Sequence, residues 1–405
     1  MRREGGDAMA RGSKRSSAGG VSSDGADGER ATVVLPSDRM RRDLEASGLP
    51  QYLEDRRTRM FCGPDSNSHV NHQESMYTYL ASGRAAATPR PTHQTPEVGI
   101  RSSQSDCLEL DIVGASPSFA NALRRILIAE VPTMAIEHVF FLNNTSTIPD
   151  EILAHRLGLI PILADPDLFR GAEDGDGDGA DGPQGADDQR NTVVFRLKVA
   201  NAESGNYLKV LSERLEWLPD GSEIPEETGV RFTQNQKETL GVDAFRPVHH
   251  DILVAKLSKG QEIELEAHCK KGTGAEHAKW SPVSTAWYRL LPEIVLLEDV
   301  RGPTAKALAG CFPAGCHCPF EVTGSGDRMR AEVKKGEAPL GCLERVRALS
   351  GKPEWKDVVQ LRKVKDHFIF TIESTGVITP PALFERSLSI LEQKAMKWAK
   401  HAALK

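Results

Sequence analysis

The chain has 405 residues, 39% hydrophobic and 27% charged, with a formal charge of −6, a length that accommodates two domains with tails. The slightly acidic balance argues against a free-standing nucleic-acid binder, which carries a basic excess or a basic face. Seven cysteines are too few, and odd in number, for a disulfide framework. No run of about eighteen apolar residues marks a membrane helix.

In chain order, residues 1–97 are rich in Gly, Ser, Arg and Asp with little hydrophobic periodicity, which is the composition of a disordered tail. Structure is expected to begin at "CLELDIVG", where Leu108, Leu110 and Ile112 alternate with Glu109 and Asp111 as in a half-buried strand. A helix follows, with Ser116 as its cap and Pro117 at its first position. Phe119, Leu123, Ile126 and Leu127 fall on one face of it, and Arg124, Arg125 and Glu130 project elsewhere. Pro132 ends it, since proline lacks the N–H and disfavours a helical residue before it. "AIEHVFFL" alternates as a strand. "PDEILAHRL" reads as a short helix from Pro149 with Gly158 as a left-handed cap.

After Ile162 the texture changes. The run "GAEDGDGDGADGPQGADDQ", residues 171–189, is expected to be a disordered acidic loop, and the segments to residue 281 read as strands joined by polar loops. "YLKVLSERLEWL" is one of those expected strands. Strand and helix patterns resume at "SPVSTAWYRLLPEIVLLE", and "RKVKDHFIFTIESTG" is a long strand or strand pair. The last helix starts near Pro380. Its Phe384, Leu388, Leu391, Ala395, Trp398 and Ala402 step by four, three, four, three and four, which is the spacing of a coiled-coil seam.

Candidate chemistry is sparse. Asp174, Asp176, Asp178 and Gly179 match the opening of a calcium loop, but its twelfth position is Gly185 where a bidentate Glu is required. Cys311, Cys316 and Cys318, with His317, form the one thiol cluster. The cluster lacks the second ligand pair of a structural zinc site, though a metal or redox protein built on it stays open as a rival. His155 lies on a helix pattern without a Ser, Cys or second His at ligand spacing. Gly272 and Gly274 resemble a phosphate loop only loosely, and Lys270, Lys271 and Lys279 could meet a phosphate or an acidic face. No catalytic constellation emerges, and neither catalytic, cofactor nor metal residues are assigned. Two helices with apolar faces framing a strand-rich centre suit a dimerisation module.

"NALRRILIAEVPTMAIEHVFFLNNTSTIPDEILAHRLGLIPI" resembles the signature of the α-like subunits of RNA polymerases. "FRPVHHDILVAKLSKGQEIELEAHCKKGTGAEHAKWSPVSTAWYRLLPEIVLLE" and "VKDHFIFTIESTGVITPPALFERSLSILEQK" are similar to the larger α-like subunits shared by polymerases I and III. The resemblance implies an α+β fold in which residues 98–161 and 282–405 form a discontinuous dimerisation domain, interrupted by a β-rich domain at 162–281. It implies a non-catalytic scaffold in the nucleus and nucleolus that heterodimerises with the smaller α-like subunit. The second-largest subunit and small zinc-bearing subunits then join, and DNA is met only through the assembled enzyme. The interface expected from it comprises Phe119, Leu123, Ile126, Leu127, Phe384, Leu388, Leu391 and Trp398, with Arg124, Arg125 and Glu130 as polar candidates. A polymerase II-type subunit is the alternative. That type carries a zinc-binding cysteine cluster in its insertion, whereas Cys269 is the one cysteine between Ile162 and Trp280.

Overall fold

A computed structural model describes residues 55–56, 58–70, 95–170, 190–202, 207–312, 318–334 and 338–403. Two short strands, β1 (Arg59–Cys62) and β2 (Asn67–Ser68), precede β3 (Glu97–Ser103), β4 (Cys107–Val113), α1 (Pro117–Ala129), β5 (Pro132–Asn144), α2 (Asp150–Gly158) and β6 (Ile162–Leu163). Next come β7 (Thr192–Ala200), β8 (Leu208–Leu211), β9 (Glu216–Trp217), α3 (Pro225–Thr228), α4 (Gln236–Leu240), β10 (Arg246–Pro247), β11 (Leu253–Leu257) and β12 (Glu262–Thr273). The last third holds β13 (Val283–Leu296), α5 (Pro303–Gly310), β14 (Phe320–Thr323), β15 (Arg330–Val333), α6 (Leu340–Leu349), β16 (Val359–Ser374) and α7 (Pro380–Ala403).

β16 is the axis of a six-stranded antiparallel sheet. One edge of it pairs with β13 from Leu296↔Val359 to Val283↔Ser374. The pairing slips between Leu290 and Pro292, where proline has no N–H to give to the ladder. The other edge is shared. β1 takes the first half, with Cys62 opposite Leu361 and Arg59 opposite Val364. β4 takes the second half, with Val113 opposite His367 and Cys107 opposite Glu373. β2 and β3 extend the sheet outward from β1 and β4.

Three apolar cores follow from this layout. α1 and α7 cover the second half of β16, burying Leu108, Leu110, Ile112, Phe368, Phe370 and Ile372. Around the first half, α5, α6, β14 and β15 enclose Met60, Leu308, Phe320, Val346 and Trp355. The third core lies under a separate sheet of order β5-β12-β7-β9, where Phe195, Leu265, Ala267 and Cys269 meet Leu153 and Leu157 of α2.

Several expectations change. The stretch expected to be an unstructured tail supplies a paired strand at Arg59–Cys62, with Met60 and Cys62 buried. The division at residue 162 does not follow the cores. β5 pairs along its length with β12, and α2 packs into the same core, so the second sheet begins at Pro132. "YLKVLSERLEWL" is broken by a 3-10 turn at Ser212–Arg214, whose Ser212 is buried with its hydroxyl donating to the His249 carbonyl at 2.5 Å. Gly158 is not a left-handed cap. α2 closes through Leu159, which stays right-handed and donates its N–H to Arg156 O at 3.3 Å. The acidic loop at 171–189 and most of residues 1–97 lie outside the described residues.

One polar cluster ties three strands of the large sheet. Asp111 of β4 accepts from Arg101 of β3 at 2.8 and 3.2 Å, and from His367 Nε2 of β16 at 2.9 Å. An ionised carboxylate only accepts, so that imidazole nitrogen carries the proton. Burial raises the Asp111 pKa, but the hydrogen bonds and charges of His367 and Arg101 more than reverse this, and the net direction is down. A carboxyl held below its ordinary value contributes stability that is complete above the unfolded pKa and is lost as pH falls through the folded one. Asp111→Asn is therefore expected to cost about 1–3 kcal/mol at neutral pH. It is also expected to flatten the fall in stability below about pH 4, read by urea unfolding across a pH series.

Candidate functional site

α1 forms where its sequence signals place it. Ser116 Oγ accepts from Phe119 N at 3.2 Å, Pro117 occupies the first turn, and Glu130 and Val131 donate back to Ile126 O. Its C-terminal end is closed from outside by the loop after β12, where Ala275 N donates to Ala129 O at 2.8 Å. That loop needs its glycines for close approach. A Cβ on Gly274 would collide with Ile128 O, and one on Gly272 would meet the Trp280 ring at 2.5 Å. Gly274 thus seats the insertion on α1 and Gly272, at the end of β12, makes room for the Trp280 ring, which accounts for the resemblance to a phosphate loop.

α7 lies beside α1. Leu383 and Ser387 are fully buried, and the Ser387 hydroxyl is satisfied by Phe384 O at 2.7 Å. Phe384, Leu388 and Leu391 are half-buried against the same core. Three ion pairs, made by two basic residues, fix the helix laterally. Lys394 Nζ sits 2.7 Å from both carboxylate oxygens of Glu130 on α1. Arg386 Nη2 donates to Asp165 at 3.1 Å and Asp167 at 2.7 Å, at the start of the chain leading into the insertion. These partners are more than 200 residues apart, so no local pattern announces the pairing. Pairs this exposed are worth a few tenths of a kcal/mol to about 1 kcal/mol each, and their role is positional.

Beyond Leu391 every residue to Ala402 is exposed. Trp398 shows 72% of its surface and Met396 53%, and the Trp398 ring meets only the edge of His401 at a centroid distance of 6.3 Å. The described residues thus present a continuous stripe from Phe119, Phe384, Leu388 and Leu391 to Trp398, half-buried at one end and bare at the other.

This arrangement corrects three of the expected contact residues. Leu123, Ile126 and Leu127 point into the sheet beneath α1 and are 0, 3 and 0% exposed. They are core, because the sheet claims the most apolar face of the helix. Arg124 is turned back onto Asn121 Oδ1 at 3.1 and 2.9 Å, and Glu130 is engaged by Lys394. Arg125 is exposed. Arg386 and Lys394, which hold α7 in place, and the exposed Met396 were not among the expected residues.

The other candidates have structural occupations. Lys279 donates to Ile136 O and Glu137 and lies 4.4 Å over the Trp280 ring, and Lys271 donates to Phe169 O at 2.9 Å. Lys270 is exposed. His155 is exposed on α2, its ring 6.5 Å from that of His277. Cys269 is fully buried and burial pushes its thiol up, as for a small apolar residue. Cys311 and Cys318 donate weakly to Ala307 O and Ala309 O, while Cys316 and His317 lie outside the described residues. Among the described residues, no group of three or more His, Cys, Asp or Glu could hold a metal, and no helix is long and apolar enough to cross a membrane.

Core and surface roles separate by mutation. Leu123→Ala is expected to destabilise the chain by about 2–5 kcal/mol. Trp398→Ala, with no packed neighbours to lose, is expected to stay within about 0.5 kcal/mol of the parent. Thermal unfolding of the two variants against the parent checks this.

Comparison with known proteins agrees with this geometry. Residues 109–395 match the RNA polymerase Rpb3/Rpb11 dimerisation domain. The chain is 38% identical over 361 residues to the mouse DNA-directed RNA polymerases I and III subunit RPAC1, covering 86% of this chain and 96% of that protein. Identity to the human RPAC1 is 42% over 304 residues, with 72% and 80% covered. A Dictyostelium discoideum RNA polymerase II subunit, rpb3, is 33% identical over 310 residues, with 74% and 92% covered. A match spanning both halves of the split sheet and both of its helices leaves one conclusion: this chain belongs to the Rpb3/Rpb11 dimerisation-domain family of α-like RNA polymerase subunits.

Proposed function

We propose that this chain is the larger α-like subunit shared by RNA polymerases I and III, a non-catalytic scaffold for enzyme assembly. The carrying observation is 38–42% identity to subunits named for polymerases I and III, which exceeds the 33% to a polymerase II subunit. The lone, buried Cys269 in the second sheet favours the same choice over a polymerase II type. The partner of the α1–α7 stripe is the smaller α-like subunit. The heterodimer then recruits the second-largest subunit and small zinc-bearing subunits, with catalysis in the largest chains, in the nucleus and nucleolus.

Physical support for a docking role comes from the helix pair. Its inner face is spent on the sheet, and its outer stripe holds Phe119, Leu388 and Leu391 half-buried with Trp398 bare. A large aromatic this exposed beside an apolar stripe fits an anchor that becomes covered on association.

Co-expression with the smaller α-like subunit tests the reading, with size-exclusion light scattering as the readout. A one-to-one complex is expected from the parent chains. The double variant Phe119→Glu, Leu391→Glu is expected to lose the complex while keeping its far-ultraviolet circular dichroism. A parent chain that stays monomeric beside the smaller subunit would overturn the assignment.

A further inference from the structure

The docking stripe is shared between two helices. Phe119 stands on α1, while Phe384, Leu388 and Leu391 stand on α7. What a partner meets therefore depends on how the helices are spaced. Glu130 and Lys394 join them directly, and the second sheet reaches each of them by a separate route. α1 passes into β5 within two residues, and the loop after β12 closes on its end, Ala275 N donating to Ala129 O at 2.8 Å. Gly274 approaches so closely that a Cβ there would collide with Ile128 O, a backbone atom that cannot swing aside. α7 is reached through Arg386, which donates to Asp165 at 3.1 Å and Asp167 at 2.7 Å.

Both grips belong to one body. Asp165 caps the 3-10 turn Pro166–Leu168 by accepting from Asp167 N, and Phe169, the next residue, is 2% exposed in the second core. Lys271, near the end of β12, donates to Phe169 O at 2.9 Å, so the aspartate turn and the glycine loop are tied to each other independently of the helices. Arg386 follows Phe384 by two residues, about 200° around the helix, which puts it on the far side of α7 from the stripe. It thus holds α7 without occupying the surface a partner needs.

We infer that Gly274 and Arg386 are positioning residues for partner binding: through them the second sheet sets the spacing of α1 and α7 and so aligns Phe119 with Phe384 and Leu388. This rests on the scaffold reading above. Loss of a grip leaves each helix packed on the large sheet, but association must then carry the cost of aligning the pair. An exposed ion pair adds little to stability. Affinity is therefore expected to respond where stability does not.

The test titrates full-length chains with the smaller α-like subunit and sets each dissociation constant beside the thermal midpoint of the free chain. The double variant Asp165→Asn, Asp167→Asn keeps an acceptor for the turn and removes the ion pairs. It is expected to weaken binding about fivefold while its midpoint stays near the parent's. Arg386→Met is expected to do the same, and all three substitutions together to cost no more than either set, since they remove one interaction. Gly274→Ala is expected to weaken binding by a similar factor; should that chain not fold, the other variants decide alone. Additive losses would mean that the aspartates or the arginine meet the partner themselves, and the inference falls. It falls also if the variants bind within about twofold of the parent, or if their losses match the drop in folded fraction. In each of these cases the scaffold reading stands. If the parent chains do not associate, the scaffold reading falls and takes the inference with it.

Discussion

The sixteen residues of β16 are the constraint on which the rest of the large sheet depends. A strand of that length has two edges to satisfy, and the chain does so with β1 and β4 from its first third and β13 from well beyond its midpoint. Because β1 and β4 divide one edge between them, the two halves of β16 carry different cores on the same ladder. Alternation along the strand then decides everything above it. Phe368, Phe370 and Ile372 face the helix pair, and the helices take their orientation from those side chains.

That orientation sets the chemistry left over for binding. A helix has one strongly apolar face, and in α1 the sheet claims it, so what remains for a partner is a narrower stripe shared between two helices. The stripe is firm because α7 is held at the core by Leu383 and laterally by Glu130 and Asp165 with Asp167. Such preorganisation lowers the ordering cost that an interface must otherwise meet on association. The site is thus a shaped surface rather than a pocket.

Much of this was legible in the sequence wherever the signal was local. Ser116, Pro117 and Pro132 delimit α1 through their own backbone chemistry, and the long β16 and α7 declare themselves by period. What periodicity could not say is what covers an apolar face. Leu123 and Leu127 look alike whether a sheet or a partner buries them, and only the sheet's position decides. β1 was missed because four residues reading "RMFC" carry too little alternation, and their pairing partner lies far along the chain. The same distance hid the pairing of β5 with β12 and of Arg386 with its two aspartates. Gly272 and Gly274 were noticed for the wrong reason, since a glycine records that something approaches closely without naming what.

The pairing of Arg59 with Val364 also bears on how the chain is made. About 300 residues must leave the ribosome between the two strands, which at ordinary elongation rates of about 5–20 residues per second is on the order of 15–60 s. Until β16 emerges, Met60, Leu110 and the apolar face of α1 have no completed sheet to rest on. The second sheet, β5 to β12, is complete long before that. In the native structure it meets the C-terminal end of α1 through the bond from Ala275 N to Ala129 O. The second sheet is thus the first of the two whose strands have all been synthesised, and in the finished molecule it touches the large-sheet half at the end of α1.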